Sequence, residues 1–152
     1  MDKQIDIEKT LGYQVHQLAF NMKSMLKSVF KNTGYDITPE AYFLLNLIPE
    51  TGIEQGELVK KTGKDKAAIT RLLDWLSGKS WIIRRVVPDN KRKAIIKISP
   101  QGKEVLVALN KALSNISQPM MKGISKNEHM VLMNAIKQLD DNLLRIVEKL
   151  NG

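Results

Sequence analysis

Apolar residues recur every three or four positions from Ile7 onward, as Ile7, Leu11, Val15, Leu18, Met22, Leu26 and Val29, with Ala19 and Phe30 widening the stripe. That spacing predicts a long amphipathic helix. It should stop near Asn32-Thr33-Gly34, where Gly supplies the left-handed conformation a helix end favours. Thr38-Pro39-Glu40 reads as an N-cap followed by Pro at the first helical position, opening a short helix through Ala41, Phe43, Leu44, Leu45, Leu47 and Ile48. Pro49 and Gly52 close it. A third helix is expected from about Glu54 to Lys61, ending at Thr62-Gly63, and a fourth opens at Asp65, whose carboxylate can cap the free amides. In the fourth, Ile69, Leu72, Leu73 and Leu76 share one face. Ala67, Thr70, Arg71 and Asp74 lie on the other, with Lys66 at its edge.

The pattern then changes period. Trp81-Ile82-Ile83-Arg84-Arg85-Val86-Val87 and Ala94-Ile95-Ile96-Lys97-Ile98 are β-branched and apolar, with Pro88-Asp89-Asn90-Lys91-Arg92-Lys93 between them. They predict a two-stranded hairpin with a charged tip, a small appendage with no larger sheet. Ser99-Pro100 caps a further helix lined by Val105, Leu106, Leu109, Leu113 and Ile116, which Pro119 is expected to interrupt. Ser125-Lys126-Asn127-Glu128 has the capping-box spacing, and Met130, Met133, Ile136, Leu139, Leu143, Ile146, Val147 and Leu150 carry a helical stripe onward. The expected fold is mainly α with one small β-hairpin, in a single domain over 1–152.

Charge adds what periodicity cannot. Between Gly56 and Lys103 lie thirteen basic and four acidic residues, a net +9, whereas the whole chain is +8. The positive charge is localised. A basic block inside a folded segment is the footprint of a surface that neutralises phosphates. The outward face of the fourth helix is small, polar and basic, which suits a major groove: short side chains let the backbone approach, and Arg71 can reach guanine O6 and N7. Lys64 and Lys66, with Lys60 and Lys61, are placed to hold the backbone rather than read bases, because an ammonium is a mobile point charge. Arg84 and Arg85 alternate across a strand, so at most one faces the nucleic acid, and Arg84 is the expected one.

Other chemistries are weakly represented. There is no Cys, so disulfides, thiolate metal sites and thiol redox sensing are excluded. His16 and His129 have no partner at ligand spacing, and no metal site or cofactor is expected. The carboxylates are scattered, and neither a nucleophile with its base nor a Gly-rich phosphate loop is present, so the chain does not read as an enzyme. Met1 to Asp6 contains no apolar leader, and no apolar run approaches the roughly 18 residues that span a bilayer. A cytoplasmic protein without a membrane partner is expected.

The order of elements, a helix, a helix-turn-helix, a basic hairpin and long flanking helices, resembles the bacterial multiple antibiotic resistance regulator (MarR) family from about Leu11 to Leu150. The segments that carry the resemblance are Ile37-Thr38-Pro39-Glu40-Ala41-Tyr42-Phe43-Leu44-Leu45, Ala67-Ala68-Ile69-Thr70-Arg71-Leu72-Leu73-Asp74-Trp75-Leu76, and Asn90-Lys91-Arg92 followed by Ile96-Lys97-Ile98-Ser99-Pro100-Gln101-Gly102. The resemblance implies a winged helix-turn-helix lobe over about 37–99 and dimerisation helices over about 7–33 and 100–150. It implies a homodimer on double-stranded DNA, with the fourth helix in the major groove and the wing at the adjacent minor groove. The terminal helices carry more apolar surface than one 152-residue core needs, and a two-fold dimer would bury the excess.

The residues this places on DNA are Lys64, Lys66, Ala67, Thr70, Arg71, Arg84, Asn90, Lys91, Arg92 and Lys93. A transcription regulator acting as a repressor follows, with release by a small phenolic or other aromatic effector in a crevice between the dimer helices and the DNA-binding lobe. Two departures from the family's pattern stand out. Asn90 occupies the place of an Asp that pairs with the wing Arg, and Asn cannot ion-pair, though Asp89 lies one residue earlier. Ser80 stands where Gly is common after the recognition helix, which should weaken that turn. Two other readings use the basic block differently: a nonspecific or architectural nucleic-acid-binding protein, and a helical module meeting an acidic protein.

Overall fold

The computed structural model describes residues 5–152, apart from the side chains of Lys91 and Arg92; Met1 to Gln4, part of the segment searched for a leader, lie outside the described residues. After a 3-10 turn at Ile7–Lys9 come α1 (Leu11–Thr33), α2 (Pro39–Asn46), β1 (Ile53–Glu54), α3 (Gln55–Thr62), α4 (Lys66–Gly78), β2 (Ile82–Val87), β3 (Asn90–Ile98), α5 (Pro100–Met120) and α6 (Lys126–Asn151). The chain divides into two compact units, Met1–Ser114 and Asn115–Gly152.

Local signals set most of these boundaries. Thr10 caps α1 by accepting from the Tyr13 amide, and Gly34 ends it at φ 80°. Thr38 caps α2 through the Ala41 amide, with Pro39 in the first turn. Thus α1 begins after Thr10 rather than at Ile7, because the hydroxyl of Thr10 satisfies an amide that the 3-10 turn cannot. In the first unit the core is built from Phe30, Leu44, Leu45, Leu58, Ile69, Leu73, Leu76, Ile96, Val105 and Leu109, all fully buried. Tyr42 packs on the Phe30 ring at 4.9 Å and donates a 2.7 Å hydrogen bond to Asn110 Oδ1, joining α2 to α5. Burial pushes its phenol pKa up.

The sheet has three strands in the order β1-β3-β2, all antiparallel, and not the two expected. Ile53 pairs with Ile96 and Glu54 with Ile95. A two-residue strand is too short to show alternation, so only its pairing to β3 reveals it. In the hairpin Ile82 lies opposite Ile98 and Val86 opposite Ala94, but Val87 lies opposite Asn90. Lys91, Arg92 and Lys93 therefore have no counterpart on β2, and the basic triplet forms a bulged excursion behind a Pro88-Asp89 turn. Bulges of this kind redirect side chains at the rim of a sheet.

Ser80 sits at φ 62°, the left-handed conformation that its place after α4 demands and that a Cβ disfavours. Ser80→Gly should raise stability by about 0.5–1 kcal/mol, the relief of strain exceeding the entropy glycine adds to the unfolded chain. A thermal scan would show a midpoint roughly 2–3 °C higher; an unchanged or lower midpoint would contradict the strain.

Lys23 on α1 meets Glu40 on α2 at 2.5 Å. The hydrogen bond from Lys23, more than any other influence, holds the Glu40 carboxyl below its ordinary 4.5. A folded pKa lowered in this way adds stability above the unfolded value and loses it as pH falls through the folded one. The pair is partly exposed, so Lys23→Met should cost under about 1 kcal/mol at pH 7. The variant and the parent should converge in urea midpoint as pH falls through the lowered folded pKa of Glu40; a gap that persists below it would point to weaker packing in place of the Lys23 stem.

In the second unit α5 ends at Met120, one residue past Pro119, so the helix stops within a residue of where Pro119 was expected to interrupt it. Pro119 has no N–H to donate to the preceding turn, which weakens the helix at its end. Ser125 opens α6 with a complete capping box: its hydroxyl accepts from the Glu128 amide, and Glu128 Oε2 accepts from the Ser125 amide at 2.8 Å. That backbone hydrogen bond lowers the Glu128 pKa. No residue of α6 is buried within the single chain, and Met130, Met133, Ile136, Leu143, Ile146, Val147 and Leu150 are all exposed. Among the described residues no helix is long and apolar enough to cross a membrane.

Candidate nucleic-acid interface

Helices α3 and α4 meet across Gly63, which takes φ 64° as the C-cap of α3. Two residues on, Asp65 Oδ1 accepts a 2.8 Å hydrogen bond from the Ala68 amide and starts α4. Ile69, Leu73 and Leu76 are completely buried and anchor α4 to the core. The 100° advance per residue then leaves Lys66, Ala67, Arg71 and Asp74 exposed on the opposite side. Lys64, in the preceding turn, is exposed as well. Sequence periodicity placed Ala67, Arg71 and Asp74 on this face; Thr70, expected with them, is half-buried.

Two grooves flank it. One, of about 420 Å³, is lined by Glu54, Gln55, Lys60, Lys66, Lys93 and Ala94, and so runs between α3 and the base of the wing. The other, of about 410 Å³, includes Glu40, Lys64, Arg71, Leu72 and Trp75 between α2 and α4. Each groove has two or more cationic side chains on its walls. Lys93 Nζ lies 3.2 Å from Glu54 Oε1, a half-exposed pair that costs little to exchange for a phosphate. Asn90 opens β3 beside the turn. The side chains of Lys91 and Arg92, both expected on DNA, lie outside those described.

Two expected DNA-facing residues are placed differently. Arg84, expected to be the outward arginine of the pair, is turned toward α4, where it donates to the Asp74 carboxylate and, at 3.2 Å, to Gln55 Oε1. Arg85 is the exposed one. Strand alternation forces one of the two inward, and the register that sets Ile82 against Ile98 puts Arg84 on the side that faces α4. Thr70 is half-buried; its hydroxyl donates to the Lys66 carbonyl at 2.8 Å and accepts from Gln55 Nε2 at 2.8 Å. Both side chains therefore hold the helix within its lobe. Gln55 does not stand out in the sequence, and nothing local marks it, since its partners lie 15 and 29 residues away.

No group of His, Asp or Glu among the described residues could hold a metal ion. The arrangement offers donors and cations on an exposed helix and at the base of the wing. A helix-turn-helix whose second helix is flanked by an antiparallel hairpin defines a winged helix-turn-helix protein. Residues 37–94, which hold the helix-turn-helix and most of the wing, match the MarR family.

Individual relatives agree. The chain is 29% identical over 94 residues to an uncharacterized HTH-type transcriptional regulator, YdgJ, of Bacillus subtilis (strain 168), a match covering 62% of this chain and 57% of that protein. A mutant MarR from E. coli complexed with operator DNA has the same fold, with TM-score 0.79 and 23% identity over 90% of this chain and 99% of that one. So does the PcaV regulator of Streptomyces coelicolor with its natural ligand, with TM-score 0.77 and 18% identity over 91% and 96% of the two chains. These structures establish the winged-helix architecture.

Proposed function

We propose that the protein is a homodimeric transcription regulator of the cytoplasm that binds double-stranded DNA by sequence and represses the genes so marked. The observation that carries the reading is the outer face of α4: Lys66, Ala67 and Arg71 exposed together on a helix whose other side is locked into the core. Small residues let that helix sit deep in a major groove, and Arg71 supplies a planar donor pair for guanine. Lys64, Lys66, Asn90, Lys91, Arg92 and Lys93 contact the backbone on either side. Thr70 and Arg84 act one step back, by holding α4.

The fold likeness to a MarR structure carrying operator DNA supports this use of the surface. Dimerisation is supported by apolar surface the single chain leaves open: Leu11, Val15, Leu18 and Met22 on α1 are exposed, and so is the stripe along α6. Water-exposed apolar area of that extent is buried in a symmetric oligomer at a gain of about 25 cal/mol per Å². A two-fold dimer reads a pseudo-palindrome whose half-sites lie about one turn, roughly 10 bp, apart. The PcaV structure holds that regulator's natural ligand, which supports a small-molecule effector as an addition to this reading, to be checked by titrating phenolic anions into the DNA complex.

Selection of bound fragments from the source genome, followed by competition with nonspecific DNA at fixed salt, tests the proposal. Recovery of one palindromic sequence, bound at least about 10³-fold more tightly than bulk DNA, is the expected result. Uniform affinity for all fragments would make the protein architectural, and no DNA binding at physiological salt would indicate an acidic protein partner.

A further inference from the structure

We propose that Gln55 is a positioning residue that sets the angle of α4 against the wing and thereby the protein's choice among DNA sequences. The inference rests on the reading of α4 as the helix that enters DNA. Gln55 is the first residue of α3, yet its amide reaches two other elements at once. Nε2 donates to Thr70 on α4 at 2.8 Å, and Oε1 accepts from Arg84 on β2 at 3.2 Å. Arg84 in turn donates to Asp74, one turn further along α4 than Thr70. The helix is thus gripped at two points on one side, by a single chain of donors and acceptors that crosses α3, α4 and β2.

The chemistry of the partners selects an amide for this place. The Thr70 hydroxyl has already given its proton to the Lys66 carbonyl, so it needs a donor. Arg84 has only donors, so it needs an acceptor. A carboxylate would serve Arg84 and leave Thr70 facing a second acceptor, and an aliphatic side chain would serve neither. Ile69, Leu73 and Leu76 hold α4 to the core but lie on one face, and apolar contacts leave rotation about the helix axis less constrained than directional hydrogen bonds do. A reading helix must be held within about half an ångström and 10–20° for base-edge hydrogen bonds to form. Gln55 is uncharged, so it supplies no counterion release of its own.

Gln55→Leu, Gln55→Glu and Thr70→Val test this against the parent, with affinities for the selected operator and for random DNA measured over a range of salt. Gln55→Leu should lower the ratio of operator to random affinity about tenfold, while random-DNA affinity and its salt slope stay as in the parent. Gln55→Glu, which keeps the Arg84 arm, should fall between the two. Thr70→Val should reproduce the loss, and the double variant Gln55→Leu with Thr70→Val should show no further decrease. An unchanged ratio in Gln55→Leu overturns the proposal, and so does an equal loss on operator and random DNA.

A readout without DNA decides the same point. Residual dipolar couplings of the α4 amides should change orientation in Gln55→Leu relative to those of α2 and α5, with the folded spectrum retained; unchanged couplings would overturn the role of Gln55. If the parent itself fails to discriminate between sequences, the functional reading falls, and the couplings alone still judge whether Gln55 orients the helix.

Discussion

Gly102→Ala is expected to lower the melting midpoint by roughly 6–12 °C, the equivalent of about 3 kcal/mol in a protein of this size. Gly102 lies in the first turn of α5, where the chain leaves the wing. A Cβ built there falls well inside van der Waals contact distance of the Trp81 carbonyl oxygen, and 3.0 Å from both the Trp81 carbonyl carbon and Ile98 Cγ1. The obstacle is backbone, so no rotamer change relieves it. Either the start of α5 or the Trp81 peptide must move, and the same few atoms carry three hydrogen bonds. Ser99 N donates to the Trp81 carbonyl at 3.0 Å, Ser99 Oγ donates to the Ser80 carbonyl at 2.7 Å, and Gly102 N donates to Ser99 Oγ at 2.9 Å.

The expected loss combines overpacking, about 1–3 kcal/mol, with disruption of a helix cap, about 1 kcal/mol. Thermal or urea unfolding followed by circular dichroism measures it. A midpoint within about 1 °C of the parent would show that α5 shifts freely and that the close approach is unimportant. The consequence extends to function, because Trp81 leads directly into β2 and the wing would move with it.

Arg71→Ala should remove sequence preference at one base pair of each half-site while leaving stability unchanged. Arg71 is exposed on the outer face of α4, so truncation opens no cavity. A bidentate arginine–guanine pair contributes about 1–3 kcal/mol of discrimination against the wrong base. On the proposed two-fold dimer both half-sites lose the pair, so operator affinity should fall by about 30- to 10⁴-fold. Neutralising Lys91 should behave differently, weakening all DNA alike and flattening the salt slope by about one for each phosphate no longer neutralised. Binding titrations against a panel of single-base operator variants separate the two. If Arg71→Ala kept the parent's preference at every position, α4 would not be the reading helix.

The contrast between these two variants follows the division between what was legible in the chain and what was not. The outward face of α4 could be read directly, because Gly63, the Asp65 cap and the three-and-four spacing of Ile69, Leu73 and Leu76 are all encoded within 14 residues. The same holds for the capping box at Ser125, whereas the turn at Ser80 was marked only by the family pattern, in which Gly is common there. Helix ends and faces depend on hydrogen bonds and periodicity between near neighbours, so local sequence is enough.

Contacts across elements were not legible in this way. Alternation in Arg84-Arg85 required that one arginine turn inward, but which one depended on the register of β2 against β3 and on how α4 packs across them. The strand at Ile53–Glu54 exists only as a partner for β3, and its pairing brings Glu54 to Lys93. Gln55 looks like any polar residue at a helix start until Thr70 and Arg84 arrive beside it.

The sequence by itself determined a basic helix-turn-helix with a wing, its apolar faces and the exposed position of Arg71. Only the tertiary structure decided that Thr70 and Arg84 grip the helix through Gln55, and that Gly102 must lack a side chain. The reason is that periodicity assigns each side chain to a face, whereas hydrogen-bond partnership requires a distance between residues far apart in the chain, which the packed backbone alone supplies.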